Sequence, residues 1–422
     1  MNFFISTSIL FFALLLLFLF GLYLAGAFRA RIQYRFQNIP NVEDDAFFVV
    51  LASLSNSLVD RGNITGFWAG ASDIYNARWD AIRSARETLH FETYEMTPGR
   101  RAGEFAELLA NRVKAGVDVK LTIDNYGAKE VPKSYWKWLK NAGVEVRFYQ
   151  TFPWRSPLDN LARTHRKLLL IDGRTALIGG AGISDKWDGN PVPWLDFEVR
   201  FTGPAIAILE GMFWQNWSYA GGIVDVREPI FRSHHKSGDF TFLVTPGKPL
   251  YRHSPIEALV KTFIQAARKR VWIASPYLLP NSDLRHALCA AQKRGVEVRL
   301  LTMSRQQSDK TYVSYTGREL YGELLAGGVE IYEYQPSMMH AKVLLIDDRW
   351  VSFGSGNIDP RSLFLNDELN ISTEQPEFAV QVRDFLQGAF QNSHRITMID
   401  WRRRSFRDRA IGKIGLIFQR QL

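Results

Sequence analysis

The chain repeats itself once, and this constrains its fold more than any other feature. Lys114-Ala115-Gly116-Val117-Asp118-Val119-Lys120-Leu121 returns as Lys293-Arg294-Gly295-Val296-Glu297-Val298-Arg299-Leu300, displaced by 179 residues. Gly143-Val144-Glu145-Val146 returns as Gly328-Val329-Glu330-Ile331 at 185, and His165 returns as His340 at 175. Ala267-Arg268 echoes Ala85-Arg86. So long a period excludes a solenoid and specifies two homologous domains packed about a pseudo-twofold axis. With 422 residues, 46% of them hydrophobic, the chain has material for both domains and is not of disordered composition.

Within the first copy, Ile74, Ala77, Ala81, Ile82 and Ala85 recur at helical spacing, and Leu89 to Tyr94 alternates as a strand. Phe105, Leu108, Leu109 and Val113 form a second helical stripe closed by Gly116, and Val117, Val119, Leu121 and Ile123 share a strand face. Trp136 to Lys140 reads as a short helix ending at Gly143, followed by a strand from Val144 to Tyr149. Helices alternating with strands predict an α/β layer structure. The domain boundaries expected are 65–222 and 251–400, with a Gly-, Pro- and His-His-punctuated linker at 223–250 and a connector at 29–64.

The repeat carries chemistry in one place. His165-x-Lys167-x4-Asp172 and His340-x-Lys342-x4-Asp347 have the same spacing, each followed by a glycine-rich turn, Gly179-Gly180 and Gly354-Ser355-Gly356-Asn357. On an extended segment, residues i and i+2 share a face, so each imidazole projects beside an ammonium. Such a pair suits phosphoryl chemistry, because lysine neutralises a phosphate oxygen while histidine attacks phosphorus or carries a proton. Asn357 could donate to a second phosphate oxygen. Two half-sites imply one shared centre. Asp172-Gly173 and Asp347-Asp348 are turn signals, so these aspartates are expected to hold the turns, although motif membership also makes them catalytic candidates. A working imidazole needs a carboxylate to fix its tautomer. Asp196, 31 residues after His165, and Glu368, 28 after His340, are the candidates by matched position. The other histidines and the aromatics Trp194, Trp214, Trp217, Tyr94 and Tyr277 are assigned to packing or solvent, and His90 has no evident partner.

The two ends of the chain point towards a bilayer. From Phe3 to Phe28 no residue is charged, and this run would span roughly 40 Å as a helix. A cleaved signal peptide ending near Ala25-Gly26-Ala27 is the competing reading, but no basic region precedes the run, so a retained anchor over 1–28 is expected. Arg29, Arg31 and Arg35 then place the globular part in the cytoplasm. The net charge of +9 is concentrated in the tail 401–422, where seven basic residues face one acid. Phe406, Ala410, Ile414 and Ile417 at helical spacing make that tail a basic amphipathic helix suited to an anionic membrane surface. The lone Cys289 excludes an internal disulfide framework and a thiolate zinc cluster.

With both His-x-Lys-x4-Asp motifs in view, the chain resembles the phospholipase D superfamily, and within it the bacterial cardiolipin synthases. The narrower resemblance is carried by Asp359-Pro360-Arg361-Ser362-Leu363, Asn366-x-Glu368, Trp194-x-Asp196, Gly203-Pro204, Phe213 and the two apolar or basic ends. It implies two phospholipase D-like domains, each a mixed β-sheet flanked by helices, with both motifs meeting at the interface. It further implies a phosphohistidine intermediate, with His165 as nucleophile and His340 as acid, and no metal or other cofactor. The expected function is condensation of two phosphatidylglycerol molecules to cardiolipin and glycerol at a bacterial inner membrane. The phospholipid is then the partner, and no nucleic acid is expected. Hydrolysis of a phosphodiester by a phospholipase or nuclease uses the same motifs, and a non-catalytic membrane scaffold is the reading from another class. One departure stands out: Gly182 occupies the position of Asn357 in the first motif, which would shift work to Ser184 or leave the half-sites unequal. The oligomeric state is left open.

Overall fold

The computed structural model describes residues 2–24, 34–149, 162–224, 238–247 and 253–419. Arg29, Arg31 and His234-His235 lie outside the described residues. In chain order the strands are β1 (Leu58–Ala69), β2 (Thr88–Thr93), β3 (Asp118–Asp124), β4 (Glu145–Tyr149), β5 (Leu168–Ile171), β6 (Thr175–Gly179), β7 (Phe197–Thr202) and β8 (Phe240–Gly247). They continue as β9 (Arg270–Ala274), β10 (Glu297–Met303), β11 (Glu330–Tyr334), β12 (Val343–Ile346), β13 (Trp350–Gly354), β14 (Glu368–Thr373) and β15 (Ser393–Ile396).

All of these strands join one mixed sheet in the order β4-β3-β2-β5-β6-β7-β1-β8-β14-β13-β12-β9-β10-β11-β15. Outward from the β1/β8 seam the order β1-β7-β6-β5-β2-β3-β4 is repeated as β8-β14-β13-β12-β9-β10-β11. β2, β3 and β4 are parallel to one another, as are β9, β10 and β11, as helical crossovers require, whereas the inner strands and the edge strand β15 are antiparallel to their neighbours. β1 stitches the halves together: Leu58 to Gly62 pairs with β8, and Asn63 to Ala69 with β7.

Two of the expected boundaries are corrected here. The expected linker contains β8, a central strand, and the expected connector contains the helix Asp45–Leu54 and the first part of β1. Polar and glycine residues in Leu58-Val59-Asp60-Arg61-Gly62-Asn63 hide the alternation of β1, and Pro246-Gly247 punctuates β8.

Helices Ala71–Ser84, Arg100–Lys114 and Lys133–Asn141 cover the outer face of the first half. Helices Pro255–Ala266, Ser282–Lys293 and Thr311–Ala326 cover that of the second. A shared core fills the space between the halves, built on Ala205–Tyr219 and Pro376–Gln391 with Leu209, Phe213, Phe378 and Leu386 buried against both sets of strands. Because both sheet faces are covered, β3 is buried along nearly its whole length rather than on one face. Gly116 and Gly143 take positive φ (89° and 93°) immediately after their helices, the stop that the sequence predicts.

Asn2–Leu24 forms one 23-residue helix whose described side chains are exposed. Among the described residues no helix is long and apolar enough to cross a membrane. The expected spanning helix is therefore not met in the described residues. At the other end, Phe406–Ile417 is helical and packs on Thr311–Ala326 through glycines: a Cβ on Gly412 would strike the Tyr315 carbonyl, and one on Gly415 the Thr316 hydroxyl. Phe406, Ile414 and Ile417 consequently face outward, 88%, 57% and 75% exposed.

Candidate active site

Each motif approaches the seam between the halves just before a short buried strand, β5 or β12. His165, Lys167, His340 and Lys342 lie in the extended segments leading into these strands, not in the paired ladders themselves. Their positions are fixed by backbone contacts across the interface. The His165 N–H donates to the Asp367 carbonyl (2.8 Å), and the Asp367 N–H returns a bond to Arg163 (2.7 Å). Likewise the His340 N–H donates to the Leu195 carbonyl (2.8 Å), and the Leu195 N–H bonds to Met338 (2.9 Å). The residue before each candidate carboxylate thus pins the opposite histidine.

The side chains cross in the same way. His165 Nδ1 lies 3.0 Å from Glu368 Oε2, and His340 Nδ1 lies 2.9 Å from Asp196 Oδ2. The spacing had associated Asp196 with His165 and Glu368 with His340; the pairing is exchanged between the halves. Glu368 also accepts from Ser355 Oγ (2.5 Å), Ser362 Oγ (2.7 Å) and Asn366 Nδ2 (3.3 Å). Asp196 accepts from the Trp187 indole at 2.9 Å. The two arrangements are matched by compensation. Ser355 supports the longer glutamate, whereas Gly180 in the equivalent place has no room for a side chain, because a Cβ would strike the Asp196 carboxylate. With Nδ1–H directed at a carboxylate, Nε2 of each histidine is left for chemistry.

Lys167 Nζ donates to the His165 carbonyl (2.7 Å) and Lys342 Nζ to that of His340 (2.6 Å), and Lys342 Nζ also lies 3.2 Å from His340 Nε2. All of these side chains are buried. Burial and the neighbouring Lys342 lower Lys167 to about 7, and burial lowers Lys342 to about 8. Burial and Lys342 bring His340 down to about 4, and burial together with both lysines holds His165 well below its ordinary value. Burial pushes Glu368 up to about 6. Burial acts on Asp196 in the same sense, but the His340 bond and the nearby charges outweigh it and keep this carboxyl low. At neutral pH, then, Lys342 keeps its charge and Lys167 stands near its midpoint, opposite two carboxylates and beside two neutral imidazoles.

His165, Lys167 and His340 open onto one cavity of about 160 Å³. Such a cluster of lysines and neutral imidazoles accepts one phosphodiester anion together with one proton. It places one imidazole to attack phosphorus and another to protonate a leaving oxygen.

The remaining predicted residues stand apart. Asp172 accepts from the backbone N–H groups of Arg86, Glu87 and Thr88, and Asp347 from those of Arg268, Lys269 and Arg270, the latter all at 2.8 Å. Both have positive φ, 53° and 52°. They lie at the far ends of β5 and β12, on the order of 20 Å along the chain from the histidines, so their candidate catalytic roles are corrected to turn building. Asn357 is buried with its Oδ1 unpartnered and does not line the cavity. Gly182 replaces it because any Cβ would meet the Glu95 carbonyl. Ser184 is engaged by Thr97 Oγ1 at 2.6 Å, so it does not substitute for the missing amide. Among the described residues no group of three or more His, Cys, Asp and Glu side chains is placed to hold a metal ion.

Several further residues were assigned to packing or passed over. Tyr94 meets the His165 ring edge-on (5.2 Å between centroids), and Tyr277 lines the same cavity. Their offset of 183 residues, inside the band of the repeat, was the available signal. Trp187 and Trp194 flank the His340 ring at 5.2 and 5.8 Å. His90, read as unpartnered, is buried with Nδ1 2.8 Å from Glu210 and stacked on Phe213.

A family profile described as "Cardiolipin synthase, PLD-like domain" matches residues 79–187 and 260–389. The chain belongs to this family. The two matched stretches of the phospholipase D-like chain each contain one histidine-lysine motif. Cardiolipin synthase 2 of Bacillus anthracis is 33% identical over 306 residues, 71% of this chain and 59% of that protein, so the phospholipase D-like chain spans about three fifths of that relative's length. Cardiolipin synthase A of Pseudomonas syringae is 31% identical over 375 residues, 87% of this chain and 76% of that one. The crystal structure of a phosphatidylserine synthase from Haemophilus influenzae superposes with a TM-score of 0.67 at 14% identity, covering 88% of this chain and 98% of that one, a likeness of fold.

Proposed function

We propose that this chain is a phosphatidyltransferase of the cardiolipin synthase type, built as two duplicated halves about a pseudo-twofold axis, with His165, Lys167, His340, Lys342, Asp196 and Glu368 at the shared centre. The observation that carries the reading is the exchange of carboxylates, which makes each histidine depend on the other half and brings both to one cavity. In the first step His165 Nε2 attacks the phosphorus of phosphatidylglycerol. A P–N bond forms, the P–O bond to glycerol breaks, and protonated His340 gives its proton to the departing oxygen. Glu368 steadies the positive charge developing on His165, and Lys167 and Lys342 neutralise the non-bridging oxygens. In the second step the primary hydroxyl of another phosphatidylglycerol attacks phosphorus, its proton passes to His340, and the P–N bond breaks to release cardiolipin. One phosphodiester is exchanged for another, so no nucleotide energy source is required.

A membrane setting suits these substrates. The exposed apolar side chains of the first helix, such as Leu10, Phe11, Leu16 and Leu17, support its insertion as an anchor, and outward-facing Phe406, Ile414 and Ile417 beside Arg407 and Arg409 support contact with an anionic surface. The test is incubation of the purified protein with phosphatidylglycerol vesicles and chelator, followed by lipid analysis. Cardiolipin and glycerol in equal amounts are expected. Phosphatidic acid as the sole lipid product would replace the proposal with hydrolysis, and absence of any product would end it.

A further inference from the structure

The segments that carry His165 and His340 are equivalent, but the layers behind them are not. Glu92, Asp124, Thr164 and Arg166 stand behind the first; at the matching positions of the second stand Ala274, Met303, Met339 and Ala341. The residue before each crossed carboxylate follows the same rule, Asp367 before Glu368 and Leu195 before Asp196. Five buried polar side chains in one layer thus replace five apolar ones in the other, on a backbone that is otherwise repeated.

Asp367 is the centre of the polar layer. Arg166 Nη2 donates to its Oδ1 and the Tyr149 hydroxyl to its Oδ2, both at 2.8 Å. Arg166 Nη1 donates to the Met212 carbonyl at 2.9 Å and lies 3.9 Å from Glu92 Oε2. Glu92 Oε1 in turn accepts from Thr164 Oγ1 and from Asn216 Nδ2, and the Thr164 N–H donates to Asp124 Oδ2 at 3.1 Å. All of these partners belong to the first half. Asp367 is therefore a residue of the second half whose side chain, like its backbone, is held by the first, and the next residue is the carboxylate that faces His165.

A buried ion pair is a poor means of gaining stability, since desolvation offsets its attraction. The other crossing shows that none is needed: the His340 N–H reaches the Leu195 carbonyl at 2.8 Å, the same length as the His165 bond to Asp367, with an apolar side chain at that position. What the pair adds is orientation. A planar guanidinium and a phenol that grip both oxygens fix the rotation of Asp367, and with it the place of Glu368 relative to His165 Nδ1. Attack on phosphorus needs such precision, because a displacement of about 1 Å can cost ~10²-fold in rate.

We infer that Arg166 and Asp367 are a positioning pair for the nucleophile, holding the Glu368 segment of the second half against His165 so that Nε2 is aligned on phosphorus. The inference rests on the phosphatidyltransfer reading with His165 as the attacking group. Neither residue lines the cavity, so the pair acts through Glu368 and His165 and not on substrate. His340 is oriented differently, by Asp196 and the flanking Trp187 and Trp194 rings.

The test is a set of double-mutant cycles read on P–N bond formation, through the phenolate burst from an aryl phosphodiester per folded protein. Asp367→Asn is placed in the wild-type, Asp196→Asn and Glu368→Gln backgrounds; Glu92 remains opposite Arg166 in each. In the first two the burst is expected to slow by about tenfold or more, the scale of one charge-assisted hydrogen bond, with donor KM within about threefold. In Glu368→Gln the further loss is expected to be under about threefold, because the carboxylate that Asp367 places is already gone. Equal losses in all three backgrounds, or no loss in the wild type, overturn the inference and leave phosphatidyltransfer standing. Should Asp367→Asn not fold, Arg166→Ala with Asp367→Leu, which copies the apolar residues of the other crossing, is expected to give the same pattern, and a wild-type burst from that folded pair overturns the inference. A wild-type protein that gives neither burst nor cardiolipin ends phosphatidyltransfer, and the positioning role with it.

Discussion

Replacing the two carboxylates separates the two histidines, because each acid serves the histidine of the opposite half. Glu368 lies 3.0 Å from His165 Nδ1 and receives three further donors, from Ser355, Ser362 and Asn366. In Glu368→Gln a carboxamide with one acceptor oxygen must face four donor groups, and the negative charge opposite the attacking imidazole is gone. Loss of that stabilisation is expected to slow P–N bond formation by about 10²–10⁴-fold, the range for an orienting carboxylate or a general acid-base group. Asp196→Asn acts instead on His340, 2.9 Å away, and so on protonation of the leaving oxygen. The two defects respond oppositely to the leaving group. An aryl phosphodiester donor departs as a stable phenolate and needs no proton. The pre-steady-state burst of phenolate should therefore recover to within about tenfold of wild type in Asp196→Asn and stay at least about 10²-fold slow in Glu368→Gln. Recovery of Glu368→Gln with no recovery of Asp196→Asn would refute the exchanged pairing and restore the same-half pairing that spacing suggests.

Other outcomes follow from the same geometry. The pH profile of kcat/KM should be bell-shaped. Activity falls below about 6 as Glu368 gains a proton and loses its hold on His165, and above about 7 to 8 as Lys167 and then Lys342 lose theirs. Steady-state rates from pH 4.5 to 9.5 test this, and a profile still rising below pH 5 contradicts it. Asp347→Ala strips three backbone N–H groups of their acceptor, and at ~1 kcal/mol each should destabilise the fold by about 3 kcal/mol, read in urea melts, with little change in kcat of the folded fraction. Phe406→Asp with Ile417→Asp should weaken sedimentation with anionic vesicles while leaving the melting temperature close to wild type, because both side chains point outward.

Much of this was legible in the sequence, because the duplication reports on itself. The helices and strands from Ala71 to Tyr149 lie where the sequence places them, although β2 and β3 are buried on both faces rather than one, and the two motifs meet as paired half-sites must. The exchange of Asp196 and Glu368 was not legible. Distance along the chain ranks residues within a half, whereas the apposition arises from the isolated bridges Thr164 to Asp367 and Leu195 to Met339 across the interface. β1 and β8 were missed for another reason: each is a seam strand with polar or proline-containing sequence, and only the sheet on both sides makes it a strand. The tail helix kept its predicted apolar positions, but its close packing falls to Gly412 and Gly415, residues that a search for hydrophobic stripes passes over.

The central claim is a single covalent step shared between the halves, and the most direct measurement is the site of phosphorylation. His340→Ala, incubated with phosphatidylglycerol labelled in its phosphate, quenched in alkali and digested, is expected to carry an acid-labile, alkali-stable label on the peptide containing His165. The same label should be absent from His165→Ala. Label on the His340 peptide of His165→Ala, or cardiolipin formation by the wild-type protein with no label on either histidine under rapid quench, would contradict the account.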